Sequence, residues 1–214
     1  MQTIESMDGF ELCDEPVPMP GAGEVLVRIR ANALNFRDLA VLQGCLPFGV
    51  QAGRVPLSDA AGVIEAIRMH VTRFAVGDRV VNSIMPNWFG GSFQAIPQQY
   101  GIHLDGWLRE YRVVSEQELV IMPSFLSFTE AATLPCAAVM AWSALAGVGP
   151  GEVVLTQGTG GVSLFAVRFA KAAGAKVVAT TDEPMRETHN WPFATLPRLP
   201  TSDTYSSSPT GVGV

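Results

Sequence analysis

The sequence predicts an α/β fold: a β-rich first domain, one strand–loop–helix–strand unit behind it, and a disordered tail. Three observations carry this. Between residues 24 and 122, short alternating apolar runs recur between glycine and proline turns. From Val153 to Thr181 a β-branched run, a glycine-rich turn, an alanine-rich stretch and a second β-branched run follow one another. Beyond residue 185, serine, threonine and proline dominate and no apolar run exceeds two residues, so nothing there can build another buried element.

In chain order, Glu15–Gly23 is a proline-rich loop. Glu24–Ala31 alternates as a strand with one buried face, and Asn35–Gln43 is a short helix stopped by Gly44. Residues 47–56 are loop, and Ser58–Ile67 is a small-residue turn entering another strand. In Phe74–Val81, Gly77 and Asp78 make a tight bend before a β run. Residues 85–105 lack periodicity and form a loop beside a pocket. Gly106–Val114 and Glu118–Met122 are strands, with Trp107 and Tyr111 as core strand residues. At Ser127–Glu130 the pattern turns helical, with Thr129 as cap, and Ala131–Gly151 carries no charge. That stretch could span a bilayer by length. Pro135 inside it, the glycines at its end and the acidic flanks Glu130 and Glu152 make it a buried helix instead.

The domains are therefore 1–126, 127–184 and 185–214. In the second, Gly158, Gly160 and Gly161 let the backbone turn tightly and come close to a pyrophosphate, held by free N–H groups where the helix starts. The sixth position of this loop is Ser163 where Gly or Ala is usual.

With 14 basic and 20 acidic residues and no basic run, the chain has no electrostatic footprint for nucleic acid. Three dispersed cysteines, Cys13, Cys45 and Cys136, give neither a disulfide framework nor a zinc knot. They fit a reducing, cytoplasmic compartment, and the first residues lack a secretory signal pattern. The histidines at 70, 103 and 189 read as solvated or locally satisfied.

Six motifs fall in a familiar order: Pro18-x-Pro20 with Gly21-x-Gly23-Glu-Val-Leu-Val-Arg28, Leu34-Asn-Phe-Arg-Asp38, Ser58-Asp-Ala-Ala-Gly62, Val76-Gly-Asp-Arg-Val80, Glu130-Ala-Ala-Thr-Leu-Pro135 and Gln157-Gly-Thr-Gly-Gly-Val162. Over about residues 10–182 the chain resembles medium-chain dehydrogenase/reductases of the zinc-type alcohol dehydrogenase-like and quinone oxidoreductase-like branch. The resemblance implies a GroES-like β-barrel followed by a Rossmann domain that is C-terminally truncated here, with NAD(P) and a small-molecule substrate between them. Relatives favour glycine where Arg68-Met-His70 stands.

The positions that match the zinc ligands of the metal-dependent branch are Asn35, Ser58 with Asp59, and Cys136, so no catalytic metal is expected. The four-cysteine structural lobe is replaced by the loop from Asn87 to Leu104. Without a Lewis acid, hydride transfer to an activated C=C or carbonyl, as in enone and quinone reductases, asks least of the protein. The resemblance places Asn35 and Asp38 beside the nicotinamide as catalytic residues and Thr133 on the cofactor side. Gly158, Gly160, Gly161 and Val162 would hold the pyrophosphate, and Thr181 stands at the strand end that meets the ribose, with NAD against NADP left open.

Plainer roles stand beside these: Asn35 and Asp38 as helix caps, Thr133 and Cys136 as core residues. An incomplete Rossmann sheet exposes edges and apolar faces, which invites homo-oligomerisation or aggregation. A catalytically inactive remnant or interaction module is the alternative reading.

Overall fold

The computed structural model describes residues 10–46, 53–88, 90–91 and 98–180. The chain divides into two compact units, Met1–Ser143 and Ala144–Val214.

The first unit is built on a five-stranded antiparallel sheet in the order β4-β1-β2-β3-β5, formed by β1 (Glu24–Ala33), β2 (Asp59–Ile67), β3 (Arg79–Asn82), β4 (Tyr111–Ser115) and β5 (Leu119–Ile121). The edge strands β4 and β5 are consecutive in the chain and are joined by a 3-10 turn at Glu116–Glu118. Alternation along each strand sends neighbours to opposite faces. Ala60 and Val80 enter the main core with Val25, Val27, Ile64, Tyr100, Trp107 and Leu119, whereas Ala61 and Val81 join Met122, Ala131 and Ala132 on the other side. Gly62 sits where β2 crosses β1, and a side chain there would strike the Arg28 carbonyl and Val27.

Several expected elements are shorter than their apolar runs. The strand expected from Gly106 begins at Tyr111, because residues 106–108 turn their N–H groups onto Val55, Leu57 and Pro56 carbonyls instead of a sheet ladder. Trp107 is fully buried, yet it stands in that turn and not in a strand. His70 adopts φ 72°, the left-handed conformation for which glycine is the usual residue.

The long helix expected over 131–151 is three short pieces: α2 (Phe128–Ala131), a π-helical turn at Leu134–Ala138 containing Pro135, and α3 (Val139–Ala144). Proline lacks an N–H and cannot continue an α-helical ladder, which is why the register changes there. The cap is Ser127, whose hydroxyl accepts from Glu130 N while Glu130 Oε2 accepts from Ser127 N, and not Thr129. Burial is also partial: Pro135–Ala138 and Ala141 are buried, while Val139, Met140 and Trp142 are exposed. The change of pattern at 127 thus marks where strands stop; residues 128–143 lie in the first compact unit.

The second unit is a parallel pair, β6 (Val153–Gln157) and β7 (Lys176–Thr180), connected through α4 (Gly161–Ala172). Ala166 and Ala170 of α4 are buried with Thr156 and Ala175. Gly174 closes the helix at φ 83°. On β6, Val153 and Leu155 are 64% and 59% exposed, where a parallel strand covered on both faces would bury them. The tail expected to be disordered, residues 185–214, lies outside the described residues. Among the described residues no helix is long and apolar enough to cross a membrane.

Candidate active site and phosphate loop

Two sets of predicted site residues are placed, one in each unit. In the first unit, Leu57 holds φ 70°, a strained backbone for a residue with a Cβ. Its neighbours over-determine that conformation. Leu57 O accepts from Trp107 N at 2.9 Å, Gly101 lies close against Leu57, and Gly106 presses against the Pro56–Leu57 backbone, where any larger residue would collide. Two asparagines then fix the next residues. Asn82 Oδ1 accepts from Ala60 N at 2.8 Å and Asn82 Nδ2 donates to Ser58 O at 2.7 Å, while Asn32 Nδ2 donates to Asp59 O and Trp107 O, each at 3.1 Å.

The strained turn delivers Ser58 and Asp59, both fully buried, beside the π-helical turn. Asp59 Oδ1 accepts from Ser58 Oγ at 2.7 Å and Oδ2 accepts from Cys136 N at 3.0 Å. Burial raises the Asp59 carboxyl above the ordinary aspartate range, against the pull of those hydrogen bonds. Burial, reinforced by the Asp59 charge, pushes the Cys136 thiol up to about 11.

Asn35 is the N-cap of α1 (Phe36–Leu42), and Asp38 at the third helical position accepts from Asn35 N through Oδ2 at 2.7 Å. Asp38 is buried and its carboxyl is raised by that burial. The capping role is therefore realised by Asp38, and the Asn35 side chain lies against the Asp38 and Asp59 carboxylates, pulling both down against the effect of burial. Thr133 is half-buried, and its hydroxyl donates to Glu130 O at 2.7 Å. The site also gathers Arg37, which sequence reasoning passed over: its charge acts on both Asp38 and Cys136. The Leu34-Asn-Phe-Arg-Asp38 motif contains it, but nothing in the sequence singled it out beside Asn35 and Asp38. Among the described residues no group of three or more His, Cys, Asp or Glu side chains is placed to hold a metal.

In the second unit, Gly158 leaves β6 at φ 78° and its N–H donates to Thr180 O at 2.9 Å, fastening the loop to the end of β7. Gly160 caps α4 and Gly161 is its first residue. The space over Gly158 and Gly160 is open. Ser163 Oγ donates to Gln157 O at 3.0 Å, so the unusual sixth residue ties helix to strand. Val162 is exposed on the first turn of α4, and Thr181 lies outside the described residues. The glycine turn thus sits between a strand end and a 12-residue helix whose first N–H groups have no partner within the helix.

Residues 21–124 match the alcohol dehydrogenase GroES-like domain. A zinc-type alcohol dehydrogenase-like protein of Schizosaccharomyces pombe is 45% identical over 83% of this chain and 54% of its own. The chain belongs to the medium-chain dehydrogenase/reductase family. Another relative within it, an acryloyl-coenzyme A reductase of Sulfurisphaera tokodaii, is 31% identical over 81% of this chain and 55% of its own. The solved structure of an NAD-dependent alcohol dehydrogenase is 36% identical, with a TM-score of 0.70 over 79% of this chain and 53% of that one. This medium-chain dehydrogenase/reductase chain spans about half the length of the curated relatives it matches. Its homologues in the family are oxidoreductases acting on small molecules.

Proposed function

We propose that the chain is an NAD(P)-dependent, zinc-independent oxidoreductase that reduces an activated C=C or carbonyl. The observation that carries the zinc-independent part is the commitment of Asp59: one oxygen is held by a hydroxyl and the other by a backbone N–H. The remaining side chains at the matching positions are an amide, a hydroxyl and the single thiol of Cys136. A catalytic zinc takes three good N, S or O ligands, and this set does not supply them.

The glycine loop, by contrast, fits a dinucleotide. Open backbone at Gly158 and Gly160 leaves room for a pyrophosphate to approach, and the N–H groups and dipole of α4 favour its charge. Bound there, the nicotinamide would supply the hydride. Asn35 would contribute its amide, and Asp38 fixes the Asn35 backbone. Thr133 keeps its hydroxyl oxygen available as an acceptor while its proton goes to Glu130 O. The acryloyl-coenzyme A reductase among the relatives supports a conjugated carbonyl compound as the substrate class.

Fluorescence titration of NADH and NADPH with the full 214-residue chain tests this. Saturable binding, with cofactor consumed when an enone is added and no loss of rate under a zinc chelator, is expected. Absence of binding at millimolar cofactor would favour the second reading, an interaction module, for which the exposed Val153 and Leu155 on β6 speak.

A further inference from the structure

We propose that the outer edge of β6 is a self-association surface, to which a second copy of this chain adds its own β6 antiparallel, the two Leu155 residues meeting at the two-fold axis. The surface lies wholly within the second unit and does not depend on the oxidoreductase reading.

Among the described residues β6 has a strand neighbour on one side only, β7. Along a strand, successive residues turn their N–H and C=O groups to opposite sides. Lys176 N donates to Glu152 O and Gly158 N donates to Thr180 O, so residues 152, 154, 156 and 158 spend their backbone groups on β7. Val153, Leu155 and Gln157 therefore turn theirs outward. On that row Ser163 Oγ donates to Gln157 O, and among the described residues no strand takes up the rest.

Nothing on β6 guards this edge. Val153-Val-Leu-Thr-Gln157 holds no charge, no proline and no bulge, the devices that ordinarily stop one strand from pairing with another molecule. Val153 and Leu155 also lie more than half exposed, on the side of the pair opposite the buried Thr156. A pair of strands is marginal by itself and gains from a third and fourth.

The outward row fixes both the partner and the register. In an antiparallel pair, the residues that exchange both hydrogen bonds recur at every second position. Centring on Leu155 sets Leu155 against Leu155 and Val153 against Gln157 of the second copy, so outward groups meet outward groups. A slip of one residue would set them against groups already spent on β7. The same register keeps like charges apart, because Glu152 falls opposite Gly158, just ahead of the start of α4, where the helix dipole favours a carboxylate. An unrelated strand would have to match this row, whereas a second copy matches it by symmetry. A dinucleotide phosphate would share that end of α4, so the pair belongs to the cofactor-free chain.

Sedimentation equilibrium of the full 214-residue chain without dinucleotide should show a reversible dimer at micromolar concentration. Leu155→Lys and Leu155→Glu each bring like charges face to face at the axis and should raise the dimer dissociation constant at least about tenfold. Mixed in equal amounts, the two variants should associate again, because unlike charges then meet. Circular dichroism checks that both are folded. If either is not, hydrogen exchange on the unmutated chain decides: the Val153 and Leu155 amides should gain protection as concentration rises, and unchanged protection overturns the proposal. A monomeric unmutated chain also overturns it, whether its β6 edge then stays bare or is taken by another segment of the same chain. So do open-ended aggregates, a dimer that Leu155→Lys leaves intact, and a mixture of the two folded variants that stays apart.

Discussion

The backbone N–H of Cys136 donates to Asp59 Oδ2 at 3.0 Å across 77 residues of chain. A single buried carboxylate thereby couples the strained turn at Leu57 to the π-helical turn that follows Thr133. Asp59→Ala leaves the Cys136 N–H and the Ser58 hydroxyl without their acceptor, at a cost of about 2–4 kcal/mol. Asp59→Asn keeps one acceptor and removes a charge that burial disfavours, so its loss should be smaller. Urea unfolding of the two variants gives the order. Equal losses would show that the carboxylate does not bridge these segments.

Gly106 tests the same turn sterically. A Cβ at this position would strike the Pro56 and Leu57 carbonyls, which are backbone atoms that cannot rotate aside. Gly106→Ala should cost about 3 kcal/mol. Gly44→Ala meets nothing within reach and suffers only from its φ of 64°, so about 1 kcal/mol is expected. Thermal unfolding of both separates collision from conformational preference.

The parts legible in the sequence are those where a local pattern coincides with a local cause. The alternation of Glu24–Ala31 and the small residues of Asp59–Gly62 were enough to place β1 and β2, and Gly158–Ser163 to place the turn before α4. Arg68-Met-His70, where relatives favour glycine, put a turn in doubt, yet His70 adopts the left-handed conformation there without being glycine. Illegible were the features decided by distant partners. Nothing in Gly106-Trp-Leu announces that these N–H groups serve residues 55–57 instead of a neighbouring strand. Leu57 adopts a glycine-like φ without being glycine, and Arg37 is held by Gln99 and Tyr100, 62 and 63 residues further along the chain. The uncharged stretch after Ala131 concealed a change of helical register that Pro135 imposes.

Stability should fall in acid through Glu116. Arg73 N at 2.7 Å and Thr72 N at 2.8 Å both donate to its Oε2, and these bonds hold its carboxyl below the ordinary glutamate value. A lowered native pKa means the stabilisation is fully present above the unfolded-state value of about 4.3 and is lost as pH falls through the native one. Glu116→Gln should therefore be less stable than the unmutated chain at neutral pH, and the gap should close on acidification. A gap in urea midpoints that is unchanged from neutral pH into strong acid would exclude Glu116 as the titrating group.

The glycine loop offers the cleanest separation of fold from cofactor. Gly158 would be a poor probe, because its φ of 78° makes any substitution cost roughly 1–2 kcal/mol before a ligand is considered. Gly160 is different: its φ of −70° and ψ of 171° suit a β-branched residue, and a Cβ there enters open space. Gly160→Val should lower stability by less than about 1 kcal/mol, mainly through a weaker N-cap. The same isopropyl group fills the space through which a pyrophosphate would approach the first N–H groups of α4, so dinucleotide affinity should drop more than tenfold. Paired thermal melts and NADPH titrations check both halves. Retained affinity with a bulky residue at 160 would mean that the phosphates bind elsewhere.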